Sequence, residues 1–282
     1  MLYFLKSLIV KIMTSLDKII SIIRTVINEF RKASTSTLLD SIRITLGLYP
    51  TSNVYTLRNG VQVHFSPNTL DRMVIRECLI NSSYSKLLKE RTLKTVLDLG
   101  SHKGYFLLGL LNARVAIDTA VCVEPLVENI KVCRENMALN KNTLLKRLGR
   151  LTIEQAAISD HSGNATLYVT QDSVSHSLID PSLLGKTVVS TRQVKLITPK
   201  QLFKKHKITS VDLLKMDIEG EEFSLFSSPQ MQYFVKARYI VMEIHPSSAH
   251  KKSEITETLK TFKFIIEIPN SAWDDLIFAR RD

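Results

Sequence analysis

Cysteine is scarce in this chain of 282 residues, which has three cysteines and no C-x-x-C pair. Structural zinc sites and the disulfide frameworks of small secreted domains need more cysteines at closer spacing. The sequence therefore disfavours both kinds of site and favours a reducing compartment, so we expect a cytoplasmic protein. The three residues are Cys78, Cys122 and Cys133.

The chain also lacks an uninterrupted apolar run of the roughly 18 residues that a membrane-spanning helix needs. Its N-terminal segment is apolar but carries charges and is not followed by a small-residue cleavage site. The apolar residues recur at helical spacing, which predicts an amphipathic helix over Met1–Phe30. Two interpretations stay open: the helix packs on its own domain or on a second subunit, or it lies in a membrane interface at the inner membrane face. The interrupting residues are Lys6, Lys11, Asp17, Lys18 and Arg24.

Acidic residues are fewer than basic ones, 27 against 38, which gives a formal net charge of +11. Such a charge favours anionic partners. No Arg/Lys-rich tract with interleaved aromatics is present, so nucleic-acid binding is not indicated. We expect an N-terminal helical extension over 1–50, with a hinge at Ala33–Thr37, and one larger domain over 51–282.

The larger domain alternates between apolar strands and helices, which predicts an α/β fold with a mostly parallel sheet covered on both faces. Asn59-Gly60 predicts a hairpin between two short strands, and a helix is expected over Thr69–Lys89. The last two strands are expected to form an antiparallel edge. The predicted strands are Thr95–Leu99, Ala120–Val123, Thr152–Ile158, Val211–Met216, Tyr239–Ile244, Phe264–Ile268 and Leu276–Ala279. The helices are one that follows Gly104, Val127–Leu139, Pro199–His206 and Glu254–Thr261. An excursion between Ile158 and Pro199 contains the segments Ala165–Thr170 and Arg192–Ile197.

The first predicted strand of this domain ends in the pattern Asp98-x-Gly100-x-x-x-Gly104. A dinucleotide site has G-x-G-x-x-G, whose middle glycine admits the pyrophosphate, and that glycine is missing here. A carboxylate such as Asp98 would repel phosphate but attract ammonium and sulfonium groups. The turn therefore indicates S-adenosylmethionine rather than NAD. Glu124, twenty residues beyond Gly104 at the end of the next strand, is the expected acceptor for ribose hydroxyls.

Two further strands end in residues that can carry proton chemistry. Asp217 and Glu219 follow Val211–Met216, and His245 follows the next strand. Because ligands bind outside the carboxyl ends of parallel strands, we expect these three side chains in the same crevice and regard them as candidates for the general base. Glu221 and Glu222 are expected to complement a helix dipole. Too few further ligands accompany Asp217 and Glu219 to predict a metal site.

These motifs resemble those of the FkbM-type S-adenosylmethionine-dependent methyltransferases over roughly Val54–Asp282. VLDLGSHKGYF at 96–106 is similar to the first motif, VEP at 123–125 to the second, and EQAAISD at 154–160 to the adenine-side strand and loop. The most specific match is LKMDIEGEE at 214–222, close to the Lys-x-Asp-x-Glu-Gly signature. The resemblance implies these cofactor-binding residues: Asp98, Gly100, Ser101, Gly104, Tyr105, Glu124, Ala157 and Ser159.

The resemblance implies a Rossmann-like class I methyltransferase fold, with a seven-stranded, mostly parallel sheet and an antiparallel edge strand. It also implies O-methylation of a hydroxyl on a glycan or small metabolite, with S-adenosylmethionine as cofactor. Two alternatives remain open. One is an RNA or protein methyltransferase, suggested by the positive charge. The other is a non-catalytic, membrane-associated S-adenosylmethionine-binding protein, with the first helix serving for membrane-surface contact or self-association.

Overall fold

A computed structural model of the protein describes residues 27–67, 69–81, 88, 91–172, 175–179, 187–245, 250–267 and 275–281. Most of the predicted amphipathic helix (residues 1–26) and the end of the predicted helix Thr69–Lys89 lie outside this part. The strands are β1 (Val54–Thr56), β2 (Gln62–His64), β3 (Thr92–Leu99), β4 (Ala116–Val123), β5 (Leu148–Glu154), β6 (Ala157–Ile158), β7 (Gly163–Thr170), β8 (Val188–Ile197), β9 (Val211–Met216), β10 (Ala237–Glu243), β11 (Ile265–Glu267) and β12 (Leu276–Arg280).

The helices lie between these strands along most of the chain. They are α1 (Thr35–Thr45), α2 (Asp71–Ile75), α3 (Tyr105–Asn112), α4 (Val127–Leu139), α5 (Pro199–His206), α6 (Glu222–Ser227), α7 (Met231–Phe234) and α8 (Lys252–Thr261), with a π-helix at Arg76–Asn81 and a 3₁₀ turn at Leu145–Arg147.

A seven-stranded sheet forms the centre of the described part, in the order β11-β12-β10-β9-β3-β4-β5. Strands β5, β4, β3, β9 and β10 pair in parallel, whereas β12 runs antiparallel to both of its neighbours, β10 and β11. The chain reverses its direction of winding between β3 and β9, and a ligand crevice is expected at such a switch point. The predicted Rossmann-like α/β fold is confirmed.

Alternation along each central strand divides the core between the two faces of the sheet. On β3, Val96 packs with α3 and α4 on one face, whereas Leu97 and Leu99 pack with α5 and α6 on the other. The buried strand residues are almost all apolar, as expected for a parallel sheet that is covered on both sides. The exceptions on β3 and β9 are Asp98 and Lys215, which face each other in register.

The predicted strand Thr152–Ile158 is two strands in two different sheets, which corrects the sequence interpretation. β5 closes the large sheet, and β6 pairs in parallel with β8 in a three-stranded sheet of order β6-β8-β7. The excursion between Ile158 and Pro199 therefore supplies regular structure that covers the carboxyl ends of the central strands. The hairpin at Asn59-Gly60 is confirmed, since β1 and β2 pair antiparallel across it.

The helix expected over Thr69–Lys89 has a different form in its described part. α2 is one short α-helix, and residues Arg76–Asn81 continue it with π-helical geometry. Gly109 on α3 allows the two elements to approach closely, since a Cβ there would lie 2.5 Å from the carbonyl oxygen of Cys78. Apolar periodicity did not reveal this change in winding.

The described part of the N-terminal extension packs on the larger domain. Residues 27–32 are helical, and Glu29 is buried where Tyr55 Oη donates to it at 2.7 Å and Arg76 Nε lies 2.9 Å away. The hinge expected at Ala33–Thr37 is wrong: Ala33 is fully buried and Ser34 caps α1 by accepting from Thr37 N. No helix in the described ranges is long and apolar enough to cross a membrane.

Candidate active site

A pocket of about 950 Å³, including the part open to solvent, lies at the carboxyl ends of β3, β4 and β9. Its walls combine the turn after β3, the end of β4, the start of the small sheet and the loop after β9. The predicted site residues on its wall are Gly100, Ser101, Tyr105, Glu124, Ala157, Asp217 and Glu219. Asp98, Gly104, Ser159 and His245 are not among the described residues that line it.

The turn after β3 is held against β4 by its own backbone. The N–H groups of Gly100 and Ser101 both donate to the carbonyl oxygen of Val123, each at 3.0 Å. Gly100 has φ +72°, and a Cβ there would lie 1.8 Å from the carbonyl oxygen of Asp217. The glycine is thus required because the loop after β9 passes directly over the turn.

Gly104 has a separate packing role at the start of α3. Its φ is +79°, and an added Cβ would meet Cys133 Sγ at 2.7 Å. The residue therefore allows α3 to lie close against α4. Ser101 Oγ, in the same turn, is buried and has no hydrogen-bond partner among the described residues. An unpaired buried hydroxyl on a pocket wall is available to a ligand.

Glu124 places a buried carboxylate at the end of β4. One oxygen accepts from the backbone N–H of His102 at 2.9 Å, and the other accepts from Leu126 N at 3.0 Å and Asn129 Nδ2 at 3.1 Å. Burial raises the pKa of Glu124, although these three donors oppose the rise. The side chain is fixed in position, and of its roughly four lone-pair sites one stays free, on the oxygen that accepts from His102, for a ligand's hydroxyl group.

Asp98 and Lys215 form a buried cross-strand pair beneath the turn. Lys215 Nζ lies 3.7 Å from Asp98 Oδ1 and 3.3 Å from Asp217 Oδ2, and it donates to the carbonyl oxygen of Gly100 at 2.6 Å. Burial raises the pKa of Asp98 to about 6, against the lowering effect of Lys215. Because Asp98 lies beside Lys215 rather than on the pocket wall, a direct contact with the cofactor stays a prediction.

The loop after β9 is built around Glu222, a residue whose role sequence reasoning missed. Glu222 is fully buried and accepts from the backbone N–H groups of Ile218 at 3.2 Å and Gly220 at 2.9 Å. It holds Glu219 in a left-handed conformation, φ +54°. Glu222 therefore shapes the loop that carries the acids, and is not simply a charge at a helix N-terminus. Glu221, also expected to serve the helix dipole, lies on the pocket wall.

His245 lies among four carboxylates at the end of β10. Nδ1 is 3.0 Å from Glu222 Oε1, and Nε2 is 3.6 Å from Glu219 Oε2, 3.8 Å from Glu243 Oε1 and 4.0 Å from Asp217 Oδ1. Burial opposes protonation, but the hydrogen bond and charge of Glu222, with the charges of Glu219 and Asp217, raise the pKa of His245 to about 10. The imidazole is therefore cationic at neutral pH.

Glu243 and Asp217, two of these four carboxyls, have pKa values that are shifted in opposite directions. Burial and the charge of Asp217 raise the pKa of Glu243 to about 8. Burial would also raise the pKa of Asp217, but the charges of Lys215 and His245 lower it. Asp217, Glu243 and His245 offer ligand atoms within 4.8 Å of one another, a grouping not anticipated from the sequence. The imidazolium already neutralises part of this negative cluster.

The adenine-side wall expected from the sequence is apolar. Ala156, Ala157 and Ile158 line it together with Leu167. Ser159 lies next to this wall, where its hydroxyl donates to Glu221 Oε2 at 3.3 Å. Of the predicted strand and loop, Ala157 thus lines the pocket itself, whereas Ser159 holds Glu221, which lines the pocket, by a hydrogen bond.

A short segment after β7 covers the loop that carries Glu219. Ser177 Oγ donates to the carbonyl oxygen of Glu219 at 2.7 Å, and Ser177 also pairs with Tyr168 by backbone hydrogen bonds. His176 lines the pocket and accepts from Thr170 N at 3.1 Å through Nδ1, and burial lowers the pKa of His176 to about 4. A neutral imidazole that accepts at Nδ1 carries its proton on Nε2.

The remaining wall comes from the elements that precede β3. Val74 and Cys78 line the pocket from α2 and the π-helix, beside Tyr105 and Phe106 of α3. Tyr105 Oη donates to the carbonyl oxygen of His64 at 2.6 Å, so this hydroxyl anchors the hairpin while the ring forms the wall. Val74 and Cys78, which the sequence motifs do not include, thus complete this side of the pocket beside two residues of the first motif.

Comparison with known sequences identifies one family. A family model described as the methyltransferase FkbM domain matches residues 98–268, which include the turn after β3, Glu124, the loop after β9 and His245. None of the curated proteins searched matches the chain.

Comparison with solved structures finds several methyltransferases. Methyltransferase FkbM from Methylobacillus flagellatus is 15% identical with a TM-score of 0.46, over 69% of this chain and 45% of that one. An S-adenosylmethionine-dependent methyltransferase from Agrobacterium tumefaciens is 13% identical with a TM-score of 0.41, over 83% and 72%. A tRNA (uracil-54, C5)-methyltransferase from Pyrococcus abyssi in complex with S-adenosyl-L-homocysteine is 11% identical with a TM-score of 0.40, over 81% and 44%. All three TM-scores are below 0.5, so the family assignment stands on the sequence match.

Proposed function

The chain belongs to the FkbM methyltransferase family, an S-adenosylmethionine-dependent family, and from that premise we propose that it methylates a hydroxyl oxygen of a glycan or small metabolite. The observation that carries the proposal is the pocket at the ends of β3, β4 and β9, which Glu124, Asp217 and Glu219 line together. The side with Glu124 suits a nucleoside, and the side with Asp217 and Glu219 provides acids beside it.

The residues present fit S-adenosylmethionine. Glu124 would accept from a ribose hydroxyl, the apolar wall at Ala156–Ile158 would cover the adenine, and the unpaired Ser101 hydroxyl would serve the ligand's polar groups. Asp217 and Glu219 give the opposite wall a negative charge, which favours a cationic ligand. When bound, the cofactor supplies a methyl group on a sulfonium, an activated leaving group.

The protein's part in the reaction is to align the acceptor oxygen and remove its proton. Alignment of reactants in a pocket is worth about 7–11 kcal/mol when the geometry is well held. A positioned base adds roughly 10²–10⁴-fold, because a protonated hydroxyl is a poor nucleophile. As the new O–C bond forms and the sulfur–methyl bond breaks, the hydroxyl proton passes to this base.

Among the three candidates for the base, Glu219 is favoured. His245 already holds its proton at neutral pH, since its pKa is raised to about 10. Both acids face the imidazolium, but Asp217 also lies 3.3 Å from the ammonium of Lys215, whose charge lowers the pKa of Asp217 against the effect of burial and makes that carboxylate the weaker base. Glu219 lines the pocket and lies 3.6 Å from the imidazolium. We therefore assign proton removal to Glu219, and the positioning of Glu219 and Asp217 to His245.

The test measures S-adenosylhomocysteine formation and cofactor affinity with glycan and small-molecule hydroxyl acceptors. Glu219→Gln should keep cofactor affinity within a few-fold and lower kcat by roughly 10²–10⁴. Glu257→Gln is the matched control, because Glu257 is exposed and pairs with Lys260 on α8. Full turnover in Glu219→Gln would overturn its assignment as base.

The same assay separates the other functions. Methylation of RNA or protein, with none of the hydroxyl acceptors, would overturn the acceptor class. Cofactor binding with no turnover on any acceptor would favour a non-catalytic binding protein.

A further inference from the structure

Seven large apolar side chains are exposed on the described part of the N-terminal extension. Their exposed fractions run from 45% for Ile27 to 73% for Tyr49. We name this set the N-terminal surface; it consists of Ile27, Phe30, Leu39, Ile42, Leu46, Leu48 and Tyr49. Apolar exposure concentrated in one stretch of the chain indicates an interaction site more strongly than single exposed residues scattered over the surface do.

Helix α1 packs Leu38 and Ile44 against the core beside buried polar side chains, and it presents a second set of apolar side chains outward. Thr37 and Asp40 are 3% and 4% exposed; Thr37 Oγ1 donates to the carbonyl oxygen of Thr56, and Asp40 accepts from Thr51 N at 2.7 Å. Leu39, Ile42 and Leu46, spaced as neighbours on one helix face, are more than half exposed. Within the described ranges, the core therefore covers Leu38 and Ile44 but leaves Leu39, Ile42 and Leu46 uncovered.

The exposed charged residues near this surface in the sequence are all basic. Between residues 27 and 58 the four basic residues are exposed: Arg31, Lys32, Arg43 and Arg58. The two acids of the same stretch, Glu29 and Asp40, are buried and hydrogen-bonded. The sequence before residue 27 continues this composition, with four basic residues and one acid among apolar ones.

We propose that the N-terminal surface docks on an anionic lipid bilayer. An apolar face rimmed by arginine and lysine suits the interface of such a bilayer, where the side chains enter the acyl boundary and the cations meet lipid phosphates. A second copy of the chain fits less well, since a two-fold contact places the same cationic patch on both sides. This docking is independent of the proposed methyl transfer.

Sedimentation of the full chain with vesicles tests the proposal, using phosphatidylcholine alone and phosphatidylcholine with phosphatidylserine. We expect at least tenfold stronger partitioning to the anionic vesicles, and weakening with added salt. The triple variant Leu39→Gln/Ile42→Gln/Leu46→Gln should lose at least tenfold. Arg31→Gln/Arg43→Gln should lose the preference for the anionic lipid.

A control variant replaces three comparably exposed apolar residues on other elements, to test whether any loss of exposed apolar side chains lowers vesicle binding. Val127, Val189 and Ile265 are 56%, 57% and 45% exposed on other elements, and their triple change to glutamine should leave partitioning unchanged. Thermal unfolding and cofactor affinity confirm that each variant is folded. Equal binding to both vesicle types, or unchanged binding by the Leu39/Ile42/Leu46 variant, would overturn the proposal. So would a vesicle-independent dimer that the same variant dissociates, since it identifies a second copy as the occupant.

Discussion

Lys215 Nζ donates a hydrogen bond to the carbonyl oxygen of Gly100 across 2.6 Å, and this bond fastens β9 to the turn after β3 on the pocket wall. The same ammonium lies between the carboxylates of Asp98 and Asp217. One buried cation thus supports the cofactor wall and the acidic wall together.

Lys215→Met should destabilise the protein by about 3–5 kcal/mol, because it leaves the buried charge of Asp98 without its cation. The measurement is urea unfolding at neutral pH, with Lys204→Met on α5 as an exposed control. Asp98→Asn combined with Lys215→Met should recover part of the loss. No recovery in the double variant would contradict the pairing.

Gly100→Ala should cost more than about 4 kcal/mol in unfolding free energy, since it combines a left-handed backbone with a collision at Asp217. Gly47→Ala is the matched control: φ is +74° there, but nothing lies within 4 Å of the added Cβ. The control should lose only about 1–2 kcal/mol for the backbone conformation. Equal losses in the two variants would show that the contact with Asp217 is unimportant.

Glu124→Gln should weaken S-adenosylmethionine binding by about 10–100-fold, because charge-assisted hydrogen bonds are worth roughly 1.5–3 kcal/mol. Titration calorimetry measures the affinity. Glu128→Gln, four residues along the chain, removes an exposed carboxylate that pairs with Arg192 and should bind the cofactor as the wild type does. Unchanged affinity in Glu124→Gln would remove the ribose role.

His245 should make stability depend on pH in the alkaline range. Its pKa rises from 6.5 in the unfolded chain to about 10 in the folded protein, so its contribution is complete below about pH 6.5 and is lost as the pH rises through about 10. The unfolding free energy of the wild type relative to His245→Gln should fall by at most about 5 kcal/mol over that range. Urea unfolding at several pH values measures the difference. A difference that does not change with pH would contradict a protonated His245.

Much of the central sheet could be predicted from the sequence because its strands are continuous apolar runs. Helices Val127–Leu139 and Pro199–His206 have the predicted bounds, the second aided by proline at its start and the Thr198 cap. The break between β5 and β6 is not predictable from the pattern, because Gln155 and Ala156 separate the two strands by only two residues with no turn signal. Pattern alone does not show that the chain changes sheets there.

The sequence predicts the part of the candidate site in which acidic residues stand at or just after the end of a strand, namely Glu124, Asp217 and Glu219. Lys215 received no role, because its partner Asp98 lies 117 residues earlier and becomes visible only through the register of β3 and β9. The sequence predicts only a charge at a helix start for Glu222, since it does not show that α6 begins beneath the loop. The roles of Lys215 and Glu222 depend on strand register between distant segments and on burial, which the sequence alone does not show.

Glu29 also sets where this protein can be shortened. Its carboxylate lies between the Tyr55 hydroxyl and the guanidinium groups of Arg72 and Arg76, and Arg76 begins the π-helix that brings Cys78 to the pocket. A fragment beginning at residue 51 would leave two arginines without the carboxylate of Glu29 next to a wall of the pocket. The smallest fragment that keeps this pocket wall intact therefore starts upstream of Glu29, inside what the sequence marks as an extension.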